Sequence, residues 1–513
     1  MDRCKEPLLN NGVKYYENCP GCKVDLRKAT QKGYPIKDLS LVALLVLCNS
    51  LPISSLFPFL YFMVQDFHIA KTQDIGYYAG YIGSSFMFGR FLTSALWGMA
   101  ADKYGRKPVM LIGAASVIIF NTLFGMSVNF WMAIATRFLL GSFNGMIGPV
   151  KAYASEVCRE EHQAFGLSIV GTMWGIGLII GPALGGFFAQ PADKYPSIFS
   201  KKSLFGRFPY LLPCLCISVV AVIVFVSTFW LPETLHNHPL ESEENSHCDS
   251  ELGTRSNSIQ ENNKEETTKT KQVHKKSLLK NWPAMASIIV YCAFSLHEIA
   301  YSEIFSLWAV SPKEYGGLSF TSSDVGVVLA ITGAGLLIFQ LLIFPPMANL
   351  VGAILVTRIS AVLTIPVLTI YPFFTMLSGV FLWLAINSAS LIKNILSISL
   401  VTGTFLMLNN AVPQDQRGAA NGLAMTAMSL FKTLGPAGGG SLFAWAQKRQ
   451  NSSFLPGNHM VFFLLNAILV IVVILTFEPF LPQSTDRPHQ EDQKDSNTEQ
   501  QEQRKEQEPP FSS

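Results

Sequence analysis

The chain has 513 residues, of which 49% are hydrophobic and only 14% are charged, and its formal net charge is +3. Soluble domains carry about 25% charged residues, and here 41 of the 73 charged residues fall in three polar segments, 1–38, 233–280 and 484–513. The rest of the chain has too few charges to cover a water-exposed surface, which excludes a soluble enzyme, a nucleic-acid-binding protein and a disulfide-stabilised secreted domain.

Six apolar stretches precede the polar segment that starts at residue 233, and each can cross a bilayer as a helix of about 20 residues. Arg90 and Arg137 are the only charged residues that interrupt the second and the fourth stretch. The six predicted spans are 39–65, 76–101, 108–136, 131–150, 163–192 and 208–232.

Six further apolar stretches follow the polar segment, and together they predict an all-α membrane protein with twelve transmembrane helices. The two six-helix halves are 39–232 and 281–483. Because Lys and Arg are concentrated in the tails and in the loops on their side, 1–38 is predicted to be a cytosolic N-terminal tail. Segments 233–280 and 484–513 are predicted to be a disordered cytosolic linker and a disordered cytosolic tail. The six later spans are 282–310, 323–346, 353–376, 387–412, 419–446 and 459–481.

The two halves contain an internal repeat. Gly181-Pro182-Ala183-Leu184-Gly185-Gly186 in span 5 corresponds to Gly435-Pro436-Ala437-Gly438-Gly439-Gly440 in span 11, and at nearly the same offset Arg137 corresponds to Lys393. Parallel six-helix repeats are a transporter architecture in which the substrate binds between the halves near the bilayer midplane.

A charged loop joins spans 2 and 3 and reads WGMAADKYGRK from Trp97 to Lys107. Gly98 permits close helix approach, and Gly105 permits a tight turn. Asp102 can pair with Arg106 or cap the following helix. Such a hairpin can hold the halves in one state and release them in another. The corresponding loop of the second half, 347–353, carries no acidic or basic residue.

Small residues line one face of span 5, because its glycines recur every four residues and let another helix approach closely. The proline adds a bend. The residues of this motif are Ser168, Gly177, Gly181, Pro182, Gly185 and Gly186.

Two short signatures lie outside the spans: Cys19-Pro20-Gly21-Cys22 in the N-terminal tail and Pro232-Glu233-Thr234-Leu235-His236 after span 6. With the charged loop and the span 5 motif, they resemble the zinc-induced facilitator-like family of plants, within the major facilitator superfamily. The resemblance runs from about residue 19 to 481. Arg137 in Arg137-Phe138-Leu139-Leu140-Gly141 resembles the fourth-span arginine that is linked to proton coupling in the superfamily.

The resemblance implies proton-coupled secondary transport, by antiport, in zinc and iron homeostasis. Substrates known in the family are nicotianamine, phytosiderophores and potassium ions, so a potassium/proton antiporter stays an alternative. Members occupy the vacuolar membrane, which we expect here, or the plasma membrane. The expected partners are a small-molecule or ion substrate, protons and lipid, and no nucleic acid. We expect no enzymatic activity and no cofactor, and we expect the protein to function as a monomer.

Ionisable residues inside the spans are few, and such residues are costly at membrane depth and usually functional. Span 7 carries His297, Glu298 and Glu303, and span 10 carries Lys393. Glu298 is predicted to carry the coupled proton because it lies within the hydrocarbon layer. Glu303 is either a second carrier or a solvated residue near the outer end of the span, and Arg137 and Lys393 are ion-pair partners or anion-binding groups.

The two cysteines of the N-terminal signature, Cys19 and Cys22, supply two of the four ligands that a structural zinc site needs. His236, His238 or Cys248 could complete such a site from the same side of the membrane. The alternatives are a solvated tail with two thiols or a redox-sensitive pair, so no metal is firmly predicted. A non-transporting membrane zinc sensor is the alternative function from another class.

Overall fold

A computed structural model describes the chain in nine segments. The predicted disordered tail 484–513, the linker residues 237–279 and most of the loop 347–353 lie outside the described residues. The described segments are 8–10, 13–16, 19–30, 33–159, 162–236, 280–344, 352–412, 417–450 and 453–482.

The first half contains six long helical spans, as the apolar stretches predict. Span 3 runs without a break through three consecutive helical segments, whereas span 4 divides at Asn144–Met146. The spans are Ile36–Ser54 followed by Leu60–Asp66, Ile75–Tyr104, Arg106–Ser116 with Val117–Asn121 and Thr122–Gly125, Phe130–Phe143 with Ile147–Val157, Gln163–Phe188, and Leu211–Thr228.

The second half repeats this arrangement, so the prediction of twelve spans in two halves is confirmed. The predicted start of span 10 at residue 387 is wrong, because this helix begins at Gly379, after a turn in which Gly379 has φ +59°. The uncharged run 359–392 hides that boundary. Spans 7 to 12 are Trp282–Val310, Ser322–Ile338 with Phe339–Ile343, Ala353–Ile370 with Tyr371–Met376, Gly379–Asn410, Arg417–Gln447 and Asn458–Leu475.

Eight helices in the described part of the chain are long and apolar enough to cross a membrane. The other four spans, 2, 4, 8 and 11, are not among these eight, and each has a local feature that accounts for this. Span 2 carries Arg90 and Asp102, span 4 is broken, span 8 is short, and span 11 carries Lys432 among many glycines. Arg90 of span 2 and Lys432 of span 11 are thus polar residues of the kind that suits a protein interior.

The N-terminal tail contains regular structure. A hairpin of Leu8–Asn10 and Val13–Tyr15 precedes a helix, Pro20–Thr30, which we call the N-terminal helix. Lys28 donates a hydrogen bond to the Glu156 carbonyl at 2.8 Å, so this helix lies against the end of span 4. The charged loop 97–107, called the Asp102 loop below, lies at the same face of the molecule. We call this face the inner face and the opposite one the outer face.

The two halves pack closely at their outer ends. A Cβ added at Gly80 of span 2 would lie 2.4 Å from the Pro436 carbonyl oxygen of span 11. A Cβ added at Gly186 of span 5 would lie 2.6 Å from the Ser322 carbonyl oxygen of span 8. Only glycine allows backbones to approach this closely, and the structure is therefore closed at its outer end.

Candidate functional site

Glu298 and Lys393 form an ion pair between spans 7 and 10. Lys393 Nζ lies 2.7 Å from Glu298 Oε2 and 3.5 Å from the centre of the Tyr301 ring. Lys393 is fully buried, whereas the Glu298 side chain keeps 27% exposure. The Tyr301 hydroxyl is 2.8 Å from the Tyr371 hydroxyl of span 9. Carboxylate and tyrosine ring together compensate the burial of the ammonium group.

Arg137 and Glu303 line one small cavity between the halves, with a volume of ≈ 20 Å³. Such a cavity holds about one water molecule. Arg137 is 2% exposed and its Nη1 donates to the Pro52 carbonyl at 2.9 Å. That carbonyl is available because the first helix of span 1 ends two residues later. The guanidinium also lies 5.3 Å from the Phe86 ring and 5.0 Å from the Phe124 ring.

Glu303 differs from Glu298 because neither of its carboxylate oxygens has a hydrogen-bond partner among the described residues. Its residue exposure is 1%, so the alternative that it is solvated near the outer end of span 7 is wrong. Arg137 attracts it electrostatically from the other half. A buried carboxyl group without a hydrogen bond is costly when charged, and a proton removes that cost.

His297 is fully buried, and its ring stacks on Phe294 with centroids 5.6 Å apart. Neither ring nitrogen has a hydrogen-bond partner within the described residues. His297 interacts electrostatically with Lys393 and Glu298, but it does not line the cavity of Arg137 and Glu303. The structure thus brings four of the five predicted intramembrane residues into two pairs and leaves His297 beside one pair.

Three further basic residues belong to this region: Arg90 in span 2, Lys151 in span 4 and Lys432 in span 11. Lys432 interacts electrostatically with the other two and with Glu298. In the described part of the chain, none of the three has a carboxylate within 4 Å. Arg90 and Lys432 are visible in the sequence as charges inside predicted spans, whereas Lys151 follows directly after the predicted end of span 4. The sequence did not show that the three converge.

The region between the halves is therefore strongly cationic. Five basic residues face two acidic ones, Glu298 and Glu303, and Glu298 is already paired. The cations come from both halves, so a bound anion would contact both. The five are Arg90, Arg137, Lys151, Lys393 and Lys432.

The Asp102 loop at the inner face is an ion-pair network centred on Arg106. Its Nη1 lies 3.0 Å from Asp102 Oδ1, and its Nη2 lies 2.9 Å from Glu156 Oε1 at the end of span 4. Gly105 has φ +107°, a conformation that favours glycine. Gly98, by contrast, has no atom within 4 Å of the position of a Cβ.

Glu233 of the second short signature caps span 3. Its carboxylate accepts hydrogen bonds from the backbone N–H groups of Arg106 at 2.9 Å and Lys107 at 3.0 Å. These N–H groups have no partner within their own helix, and a negative charge is favourable at a helix N-terminus. A Cβ at Gly105 would lie 2.4 Å from Glu233 Oε2, so the loop glycine also makes room for the cap.

The glycine face of span 5 packs on span 1. Cβ atoms at Gly177 and Gly181 would collide with Ser50 Oγ and Ser54 Oγ, and the Ser54 hydroxyl donates to the Gly177 carbonyl at 2.8 Å. Gly185 meets the Ser55 backbone, whereas Gly186 faces span 8 of the other half. Span 5 runs through Pro182 without a break. Among the described residues, the Ser168 hydroxyl donates to the Phe165 carbonyl of its own helix, away from this contact.

Lys194 closes the outer end. Its Nζ donates to the Gly186 carbonyl at 2.5 Å and to Ser322 Oγ of the second half at 2.7 Å. Burial lowers the pKa of Lys194 to about 8. A second contact between the halves is the ion pair of Lys448 Nζ with Asp74 Oδ1, at 2.5 Å.

Cys19, Cys22 and His236 meet at the inner face, and their side-chain ligand atoms lie within 4.8 Å of one another. Both cysteines are buried. Burial raises the pKa of the Cys22 thiol. The sequence offered His236, His238 and Cys248 as partners for the two cysteines, and the structure brings in His236, while the other two lie outside the described residues. This group could hold a metal ion.

Comparison with known proteins places these sites in context. The Major Facilitator Superfamily profile matches residues 42–386. Protein ZINC INDUCED FACILITATOR 1 of Arabidopsis thaliana is 57% identical over 94% of this chain and 99% of its own length. A probable peptide/nitrate transporter of the same plant is 59% identical over 91% of this chain and 97% of its own length. The crystal structure of a D-xylose-proton symporter superimposes with a TM-score of 0.65 at 13% identity, over 89% of this chain and 100% of that chain.

Proposed function

Because this chain belongs to the major facilitator superfamily, and within it to the zinc-induced facilitator family, we propose that it is a proton-coupled antiporter of a small metal chelator. Nicotianamine or a phytosiderophore, both rich in carboxylates, is the proposed substrate, and the proposed process is zinc and iron homeostasis. The protein is a multi-pass membrane transporter, and the vacuolar membrane is the proposed location, with the plasma membrane second.

The excess of cations between the halves is the observation that carries this proposal. Arg90, Lys151 and Lys432 lack carboxylate partners within the described residues. Arg90 and Lys432 lie in the middle parts of their helices, and Lys151 lies six residues before the inner end of span 4. Substrate carboxylates would supply the missing partners, and charge-assisted hydrogen bonds of this kind are strong. A bare potassium ion would be repelled by the same groups.

Glu303 is the proton carrier that we propose, in place of Glu298. Glu298 is paired with Lys393 at 2.7 Å, whereas Glu303 has no hydrogen-bond partner among the described residues. Glu303 lines, with Arg137, a cavity with space for about one water molecule. Ionised Glu303 places a negative charge beside Arg137, so protonation of Glu303 changes the charge between the halves. We propose that this change links proton movement to substrate movement, with antiport as the direction that the resemblance of the span 5 motif implies.

The test is uptake into proteoliposomes with an imposed pH gradient, using labelled nicotianamine, a phytosiderophore, zinc and potassium in separate experiments. We expect a chelator to accumulate and potassium not to. Lys432→Met should weaken chelator binding about tenfold, the loss expected from one charge-assisted hydrogen bond. Potassium accumulation alone would identify a cation antiporter, and no accumulation of any solute would favour a zinc sensor.

Glu303→Gln tests the coupling. We expect it to abolish gradient-driven accumulation while retaining exchange of substrate across the membrane at zero pH gradient. Glu314→Gln is the matched control, because Glu314 is exposed in the outer loop after span 7. Full gradient-driven accumulation by the Glu303→Gln protein would refute Glu303 as the carrier and return Glu298 to that role.

A further inference from the structure

Cys19, Cys22 and His236 form a three-ligand cluster that no step of substrate transport uses. His236 Nδ1 lies 3.7 Å from Cys19 Sγ and 3.8 Å from Cys22 Sγ. The two cysteines are 3% and 4% exposed and are present as thiols. His236 is 214 residues further along the chain than Cys22, so tertiary packing and not local sequence brings the three together.

These distances match a tetrahedral zinc site. Zinc–sulfur bonds of about 2.3 Å and zinc–nitrogen bonds of about 2.0–2.1 Å, at the tetrahedral angle, put sulfur and nitrogen about 3.6 Å apart. Zinc binds thiolate and imidazole ligands well, whereas calcium and magnesium prefer oxygen ligands. We propose that Cys19, Cys22 and His236 bind one zinc ion at the inner face, outside the membrane and independently of the transported substrate.

Asp25 prepares His236 for this role. Its Oδ2 lies 3.2 Å from His236 Nε2, the ring nitrogen that the proposed ion does not use. A carboxylate in this position fixes the tautomer that leaves Nδ1 available to the metal and makes the imidazole a better ligand. One helical turn of the N-terminal helix thus supplies a ligand, Cys22, and the residue that orients another ligand.

The residue before Cys22 is a glycine, Gly21, and the packing of His236 requires this small residue. A Cβ at this position would lie 2.8 Å from the His236 ring, closer than real contacts allow. The Gly21 N–H also donates to the Leu235 carbonyl at 3.2 Å. The backbone therefore already holds the signature Cys-Pro-Gly-Cys against the residues around His236.

A cavity lies beside the proposed site. Its volume is ≈ 360 Å³, and it borders His236 and Asp25 and extends to Arg106 and Glu156. Through this cavity, zinc can reach His236 from the inner side.

The proposed zinc site is connected to the Asp102 loop through the four consecutive residues 233–236. Glu233 caps span 3 beside Arg106, and Thr234 Oγ1 donates to Glu156 Oε2 at 2.5 Å. His236 follows two residues later. Zinc bound here would tie the N-terminal helix to the segment that holds the Arg106 network, so the ion links metal supply to the inner ion-pair network of the transporter.

Metal binding to the full-length purified protein tests the proposal without any transport measurement. After removal of metal with a chelator, zinc is titrated in competition with a chromophoric chelator, and cobalt is added as a spectroscopic probe. We expect one ion per chain and a cobalt–thiolate absorption band. Cys19→Ser and His236→Asn should each abolish the band and the tight site, and Asp25→Asn should weaken zinc affinity about 10–100-fold.

Two variants serve as matched controls. Cys216→Ser removes a thiol in span 6, and His68→Asn removes an exposed imidazole at φ 54°, a conformation that asparagine tolerates. Both should bind zinc like the unchanged protein. Gel filtration establishes that every variant is folded. Equal zinc affinity in the unchanged protein and in the His236→Asn protein, or no cobalt–thiolate band in the unchanged protein, would overturn the proposal.

Discussion

Lys393 and Glu298 are unequal partners: the lysine is fully buried, and the glutamate side chain keeps 27% of its exposure. Their Nζ and Oε2 atoms lie 2.7 Å apart, and the Tyr301 ring covers the ammonium group. Loss of the glutamate leaves a buried cation with one aromatic ring for compensation. Loss of the lysine leaves a carboxylate that water can still reach.

This inequality predicts the order of stability of three variants. Glu298→Gln should be the least stable, losing up to about 3–5 kcal/mol, the usual cost of an unpaired buried charge. Lys393→Met should lose less, and the double variant should recover part of the loss, because it contains neither charge. The measurement is the thermal unfolding midpoint of the purified protein in detergent, with Glu314→Gln as the surface control. Greater damage from Lys393→Met than from Glu298→Gln would contradict the burial argument.

The sequence predicted the features that depend on neighbouring residues. Uncharged runs revealed the spans, and the four-residue spacing of glycines in span 5 revealed a packing face. The spacing of Asp102 and Arg106 allowed an ion pair or a helix cap, and the structure contains the ion pair, at 3.0 Å. Local patterns of this kind follow from helix geometry alone.

The sequence alone did not predict contacts between residues that are far apart in the chain. Lys393 lies 95 residues from Glu298, and Glu233 lies 127 residues from the N–H group that it caps. Nothing in the local pattern distinguishes Glu303, buried and without a hydrogen-bond partner among the described residues, from a solvated glutamate near a helix end. Such properties are set by the packing of whole helices, which one sequence does not display.

The Arg106 network predicts a separation of transport rate from substrate affinity. Arg106 contacts both Asp102 and Glu156, and the Asp102 side chain is 75% exposed. Asp102→Asn should therefore slow transport modestly and Arg106→Ala more severely, while both change the equilibrium dissociation constant less than about twofold, because the loop lies at the inner face and not between the halves. Initial uptake rates and equilibrium binding of the labelled substrate give the two quantities.

Lys103→Ala is the control for this pair of variants. Lys103 belongs to the same exposed turn, and its ammonium group contacts only the neighbouring Tyr104 ring among the contacts that the structure describes. The transport rate of the Lys103→Ala protein should match that of the unchanged protein. A loss of affinity as large as the loss of rate in the Arg106→Ala protein would mean that the loop shapes the binding site itself.

Lys194 makes closure of the outer end dependent on pH. In the closed structure, burial lowers its pKa to about 8, whereas a lysine exposed by opening has a pKa of about 10.4. The state with the lower pKa releases its proton first, so closure becomes more favourable as pH rises above 8 and is insensitive to this group below it. One proton makes the closed-to-open ratio rise by up to about tenfold per pH unit.

Distance measurements between spin labels on the outer ends of spans 2 and 11 give the fraction of closed molecules between pH 7 and 10. We expect this fraction to rise with pH in the unchanged protein and to stay flat in the Lys194→Met protein, which has no proton to release there. Lys202→Met is the control, because Lys202 is exposed in the same loop and its side chain makes no hydrogen bond or ion pair with the second half among the described residues. The pH profile of the Lys202→Met protein should follow that of the unchanged protein. A closed fraction that falls with rising pH would show that the charged ammonium, through Gly186 and Ser322, stabilises closure more than its burial opposes it.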